Sequence, residues 1–345
     1  MSRLERLPVD ATGVGLALFV LSVLFLYSPL FVSPPGWTFF VLELGVLFVV
    51  YVLILIGLNL QFGHTGLTNF GPVAFFAVGG YTAALLTARD PYGAVGLGMP
   101  WPVGLGVGVL AAVGLGALVG AATLRLRDDF LAIVTLAVAE IVHGLIETFR
   151  TVTGGPIGLQ NVPRPIPDMT GGGGGAEIVS TILVVGSLAL LAYGVFHRLT
   201  ASPYGRVLRA IRADEQVTET LGKRVFRYKF MVLIYGSALA GLAGVLYVFY
   251  NGAASPLFFT IDVTVTVWIG MLIGGAGSDR GVIGGLAIIM GFRLLTRLLN
   301  QELPFVGQDQ FASARILLVG LLLMLVIRYR PEGIWGDARE RRAES

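Results

Sequence analysis

Apolar residues fall in long runs along this chain, and short polar or Gly/Pro-rich stretches separate one run from the next. A helix needs roughly 20 mostly apolar residues to cross about 30 Å of hydrocarbon. On that measure the pattern predicts about ten transmembrane helices, near 12–32, 37–60, 71–88, 101–124, 130–149, 178–197, 229–250, 260–277, 281–300 and 312–329. The punctuation agrees, because SPPG at 33–36, RDPYG at 89–93, a Gly/Pro stretch at 151–176 and SPLFF at 255–259 interrupt the runs where turns are needed. The runs at 61–90 and 260–300 also fit short or broken hairpins. The expected fold is an all-α polytopic membrane protein, one transmembrane domain over 1–345, with discontinuous helices as an option at those two places.

Composition strengthens this reading. Of 345 residues, 55% are hydrophobic and 13% charged, and the mean hydropathy is +0.81, far outside the range of a soluble domain. The start, MSRLERLPVD, leads into an apolar run with no small-residue cleavage site, which reads as an uncleaved first span. Cysteine is absent, so thiolate metal sites and cysteine nucleophiles are excluded. His64, His143 and His197 are too scattered for a zinc constellation, and no metal, cofactor or catalytic residue is expected. With a cytoplasmic amino terminus, ten spans return the carboxyl terminus to the cytoplasm. All but six of the 24 Lys and Arg residues then lie inside, the six being Arg89, Arg150, Arg164, Arg293, Arg297 and Arg315.

Charge is concentrated in SPYGRVLRAIRADEQVTETLGKRVFRYK at 202–229, a water-exposed segment between two spans. Ser202 and Pro203 are a helix-start signal, and Gly222 is a stop signal, so one helix is expected between them. Val207, Leu208, Ile211, Val217 and Leu221 give it an intermittent apolar stripe. Arg206, Arg209, Arg212, Asp214, Glu215 and Glu219 are left for solvent or for a docked partner. The competing reading is an ordinary positive cytoplasmic loop.

Residues 57–88 place polar groups where a plain span would be apolar. Backbone that leaves helical geometry at membrane depth must be buried in protein or line a wet cavity. Asn59, Gln61, His64, Thr65, Thr68 and Asn69 are therefore the candidate substrate path, against the alternative of a cytoplasmic turn with close glycine packing at Gly79 and Gly80. Glu140, His143 and Glu147 share one helical face and fit either a structural cluster or a proton route. The outer loop at 151–177 carries a Gly-Pro turn, with Thr153 to Leu159 as an ordered plug or docking surface, and a glycine run at 171–175. That run lacks the Gly-Lys-Ser/Thr ending of a phosphate loop, so nucleotide binding is rejected. The glycines of 267–291 are expected to serve close helix contact.

Taken together, these segments resemble the longer of the two permease types in branched-chain amino acid ABC importers. The resemblance rests on GLNLQFGHTGLTNFGPVAFFAVGGYTAALL at 57–86, RLRDDFLAIVTLAVAEIV and TGGPIGL within 125–159, the charged segment with GLAGVLY within 202–247, IGGAGSDRGVIGG at 273–285 and RPEGIWG at 330–336. Gly205, Arg206, Arg209, Ala210, Arg212, Asp214, Glu215 and Gly222 fall on the family pattern. Asp279, Arg280 and Val282 depart from it, where apolar or aromatic residues and proline are common. The resemblance implies a second, homologous permease subunit, two ATP-binding subunits below, a solute-binding protein outside and a multi-pass location in a prokaryotic inner membrane. It also implies that 206–222 couples the chain to an ATPase, that ATP hydrolysis belongs to the partners, and that no nucleic acid is involved. Urea permeases share much of the pattern, so urea or another small polar solute is an alternative cargo. An ion-coupled secondary transporter using Glu140, His143 and Glu147 and a channel-like facilitator are the rivals from other classes.

Overall fold

A computed structural model describes residues 36–89, 95–124, 128–165, 175–302, 308–330 and 332–335. The expected first span at 12–32, Arg3, Arg6, Arg125, Arg127, the glycines at 171–174 and the basic carboxyl end at 339–342 lie outside the described residues. Among those described there is no strand, and an isolated bridge between Leu159 and Ala254 is the one β-type pairing.

The helices are α1 (Gly36–Leu58), α2 (Pro72–Thr87), α3 (Trp101–Thr123), α4 (Asp128–Thr148), α5 (Arg150–Thr153), α6 (Gly175–Ala201), α7 (Pro203–Ala213), α8 (Glu215–Thr220), α9 (Val225–Asn251), α10 (Ile261–Gly274), α11 (Gly281–Glu302) and α12 (Gln308–Tyr329). Among the described residues, six stretches are long and apolar enough to cross a membrane: Leu42–Gly63, Trp101–Thr123, Phe130–Thr148, Ile178–Ala201, Val225–Asn251 and Pro256–Gly274. The chain is thus a multi-pass helical membrane protein, and its described residues hold six full-length membrane-capable helices against about ten expected. The apolar helix at Pro72–Thr87 is shorter, and the described apolar parts of α11 and α12 run over Gly281–Arg293 and Leu317–Val326. At α2 the reason is local: the chain runs without helical structure from 66 to 71, and Pro72 then starts the helix.

Helix α9 sits at the centre, packed against α1, α2 and α3; α6 covers α1, and α10 pairs with α11. Small residues make these approaches close. A Cβ on Gly244 would lie 1.9 Å from the Phe76 carbonyl of α2, and one on Gly57 would lie 3.0 Å from the Gly236 Cα. Between helices in lipid, where water drives no burial, such contact supplies the dispersion energy that holds the bundle. The glycines of 267–291 act the same way, for a Cβ on Gly285 would lie 2.1 Å from the Gly270 carbonyl oxygen.

Candidate functional site

Helix α1 does not end cleanly. It widens into a π-helical turn at Asn59–Gly63, continues briefly to Thr65, and gives way to a non-helical stretch before α2. That stretch is buried in protein, as backbone leaving helical geometry between spans must be. Phe70 N donates to Thr135 Oγ1 on α4 at 2.9 Å, Trp268 Nε1 on α10 donates to the Asn69 carbonyl at 3.0 Å, and the Phe70 and Trp268 rings stack at 4.5 Å.

Asn59, Gln61, His64, Thr65 and Asn69 are all buried, none more than 4% exposed. Their side chains are largely spent on one another and on the backbone. Asn69 Nδ2 donates to Gln61 Oε1 at 2.9 Å, and Asn69 Oδ1 accepts from Gly71 N at 2.8 Å. Thr65 Oγ1 donates to the Leu60 carbonyl at 3.0 Å, and Asn59 Oδ1 accepts from Gly277 N at 2.9 Å. Two polar atoms here, Asn59 Nδ2 and His64 Nδ1, are buried without a hydrogen-bond partner.

The last contact of Asn59 leads to an arrangement that the sequence did not reveal. The turn between α10 and α11 carries Asp279, whose carboxylate accepts from His64 Nε2 at 3.2 Å and from His197 Nδ1, at the end of α6, at 3.0 Å. An ionised carboxylate only accepts, so each imidazole presents an N–H to it. Burial pushes the Asp279 carboxyl up, but the two histidine hydrogen bonds and their charge outweigh this and hold it below the ordinary carboxylate range. One side chain therefore ties together the ends of α1 and α6 and the α10–α11 turn. Beside it, Arg212 of α7 donates through Nη1 to the Gly63 carbonyl, inside the π-helical turn. Gly277 has φ +91°, and a Cβ there would lie 2.8 Å from the Gly63 carbonyl oxygen, so the turn needs glycine to approach this closely. The closing segment folds onto the same hairpin, with Ile334 N donating to the Ile273 carbonyl at 2.8 Å. The departures at Asp279 and in GSDRG were the available sequence signal; their partners lie 215 and 82 residues away.

The charged segment is two helices rather than the single one expected. Ser202 caps α7 by accepting from Tyr204 N at 3.1 Å, and Gly222, at φ +79°, follows α8 as the stop signal implied. The break is at Asp214, which is extended (φ −159°, ψ 112°) and whose Oδ1 accepts from Val217 N at 2.9 Å, capping a second helix. Leu208 packs into the hydrophobic core of the bundle, fixing α7 to it, and Ile211 is buried as well. Arg209 donates to the Thr200 carbonyl at 3.0 Å, and Glu215 pairs with Lys229 at the start of α9. Arg206 and Glu219 are exposed, as are Val217 (54%) and Leu221 (73%), two apolar side chains on and just after the short outer helix α8.

The remaining candidates separate. His143 Nε2 lies 3.6 Å from Glu147 Oε1, whereas Glu140 is exposed on the surface of this chain. Thr153 to Leu159 is ordered: Thr153 Oγ1 donates to the Ile146 carbonyl, and Leu159 and Ala254 exchange backbone bonds of 2.8 Å. Among the described residues no group of three His, Cys, Asp or Glu side chains is arranged to hold a metal ion.

Residues 40–327 match the family model described as the permease component of the branched-chain amino acid transport system. The chain is 31% identical to the high-affinity branched-chain amino acid transport system permease protein LivM of Escherichia coli, over 94% of this chain and 76% of that one. It is 28% identical to a probable branched-chain amino acid transport permease protein LivM of Methanocaldococcus jannaschii, over 83% and 90% of the two chains. It is 27% identical to the Escherichia coli permease protein LivH of the same system, over 82% and 92%. No solved structure matches the chain.

Proposed function

The chain belongs to the family of branched-chain amino acid transport system permease components, and from that membership we propose that it is a permease subunit of an ATP-driven importer of branched-chain amino acids. It carries no catalytic residue of its own; ATP is hydrolysed by partner subunits. The observation that carries this reading is the match over 40–327, together with likeness to LivM that spans almost the whole chain and a weaker likeness to LivH. Two related but distinct permease proteins resembling one chain support a core of two non-identical permeases. An outer solute-binding protein completes the assembly, in a prokaryotic inner membrane with both termini in the cytoplasm.

Within that assembly, α7 and α8 are the coupling element. Val217, Leu221, Arg206 and Glu219 face outward and meet the ATPase, while Leu208, Ile211, Arg209 and Arg212 hold the element to the bundle. Motor closure moves α7, Arg212 carries the movement to the Gly63 carbonyl, and the discontinuous stretch at 59–71 responds because it is not locked into a continuous helix. The solute path runs beside that stretch. Asn59 Nδ2 and His64 Nδ1, buried and unpartnered, are the polar atoms that a passing solute or its water would satisfy. The outer turn at Thr153 to Leu159, with Ile157 exposed, faces the binding protein.

The test is uptake of labelled leucine, isoleucine and valine into proteoliposomes holding the full complex, with binding protein outside and ATP inside. ATP-dependent accumulation of these and not of urea is the expected result. Accumulation of urea in their place would refute the cargo, and accumulation driven by a pH gradient without ATP would refute the importer.

A further inference from the structure

We propose that the root of α9 holds an anionic phospholipid at the cytoplasmic edge of the bilayer. A cavity of about 540 Å³ opens there, and three of its lining residues, Lys223, Arg224 and Arg227, are cations with exposed side chains. Among the described residues no carboxylate lines it. The nearest basic neighbour in sequence, Lys229, points elsewhere, to Glu215. Tyr204 and Tyr228 form one wall, with ring centroids 5.2 Å apart, and the Tyr204 hydroxyl is buried with no hydrogen-bond partner.

The cavity has a direction. Arg224, Arg227, Tyr228, Met231 and Tyr235 follow one another at steps of one to four residues that keep to one face of α9. The cations stand where the apolar span Val225–Asn251 begins, at the level of lipid headgroups. Tyr235 lies 11 residues beyond Arg224, roughly 16 Å along the helix, about half the depth of a ~30 Å hydrocarbon layer. A phosphate bound by the two arginines and the lysine would therefore direct an acyl chain past Met231 and Tyr235, both exposed. The Tyr204 hydroxyl is placed to donate to a phosphate or ester oxygen. A soluble phosphate would use the cations and leave the lower half of the groove unfilled. An acidic surface of an ATPase would do the same, since a soluble subunit does not reach below the headgroups. The alignment of cation, hydroxyl and apolar groove fits a lipid best.

The experiment uses the full-length chain expressed with its companion subunits, equilibrated with equal amounts of phosphatidylglycerol and phosphatidylcholine and read by native mass spectrometry. The wild type is expected to retain phosphatidylglycerol in preference. Arg224→Gln with Arg227→Gln should weaken that retention about 30-fold, the loss expected for two cations at an anionic surface. Arg198→Gln with Arg328→Gln, which removes the same charge elsewhere on the same side, should leave it unchanged. Tyr235→Gln keeps every cation and should weaken long-chain phosphatidylglycerol but not its dihexanoyl analogue. Equal retention of the two headgroups, equal retention in the Arg224/Arg227 variant, or displacement by millimolar inorganic phosphate would overturn the proposal. So would loss of the ATPase subunit, rather than of lipid, in the Arg224/Arg227 variant. Should that variant fail to assemble, Tyr235→Gln decides: no difference between the long-chain and dihexanoyl lipids sinks the proposal.

Discussion

Replacing Asp279 with alanine would remove the acceptor shared by His64 and His197 and test whether the joint between α1, α6 and the α10–α11 turn transmits force. A hydrogen bond to a charged group contributes about 1.5–3 kcal/mol. The His64 bond counts nearly in full, because that side chain is 6% exposed; the His197 bond, with a side chain 62% exposed, counts for well under about 1 kcal/mol. The alanine variant should therefore loosen the joint by about 2 kcal/mol, and the population in which it has let go rises about 30-fold. The Asp279→Asn variant leaves one carbonyl oxygen for two N–H donors and should fall between. The assay is the ratio of leucine delivered to ATP hydrolysed in proteoliposomes, with assembly of the complex checked separately. If the joint couples, Asp279→Ala keeps ATP hydrolysis while the ratio falls, and Asp279→Asn falls less. The pH dependence has a defined sign. A carboxyl held below its unfolded value stabilises the fold fully above about pH 4 and loses that contribution as pH falls through the depressed value. Asp279 itself should thus cause no loss of coupling between pH 7 and about pH 5. An unchanged ratio in Asp279→Ala, with the complex intact, would refute the reasoning.

Val217→Asp with Leu221→Asp should weaken retention of the ATPase subunit at least tenfold in pull-down at graded concentration, since burying one such side chain is favourable by about 1.5–3 kcal/mol. Gly285→Ala should lower the thermal stability of the purified complex by an amount equivalent to about 1–3 kcal/mol, because its Cβ would strike the Gly270 carbonyl, whereas Gly291→Ala, with open space around the Cβ, should be neutral or slightly stabilising. Glu140→Gln should leave ATP-driven uptake intact and insensitive to a pH gradient, as measured with ATP and the gradient varied independently.

How much of this was legible in the sequence depends on the range of the interactions involved. The helical class, the apolar runs and the caps at Ser202 and Gly222 are local, set by composition and by residues a few positions apart, and they were readable. The break at Asp214 was written locally too: an Asp ahead of Glu215 is a start signal inside what otherwise reads as one helix. The shortness of α2 was not readable, because periodicity cannot say that 66–71 is held in a non-helical path by Thr135 and Trp268. The polar set at 59–69 was found as a set, since polar residues in an apolar run stand out. Their partners were not, because Asn59 meets Gly277 and His64 meets Asp279 across more than two hundred residues.

Those distant partners change what the polar set means. Read alone, Asn59, Gln61, His64, Thr65 and Asn69 suggest a wall of hydrogen-bonding groups awaiting a solute. In the fold most of that capacity is already used to hold an irregular backbone in place, and the same backbone receives Arg212 from the charged segment. A continuous helix satisfies its own carbonyls and offers a side chain such as Arg212 nothing to grip. At the π-helical turn the Gly63 carbonyl accepts from outside the helix, which makes it a point where force can enter. The irregularity of α1 thus does two things together: it gives Arg212 of α7 a backbone carbonyl to hold, and it leaves the stretch leading to α2 free of the helical ladder that would resist being moved.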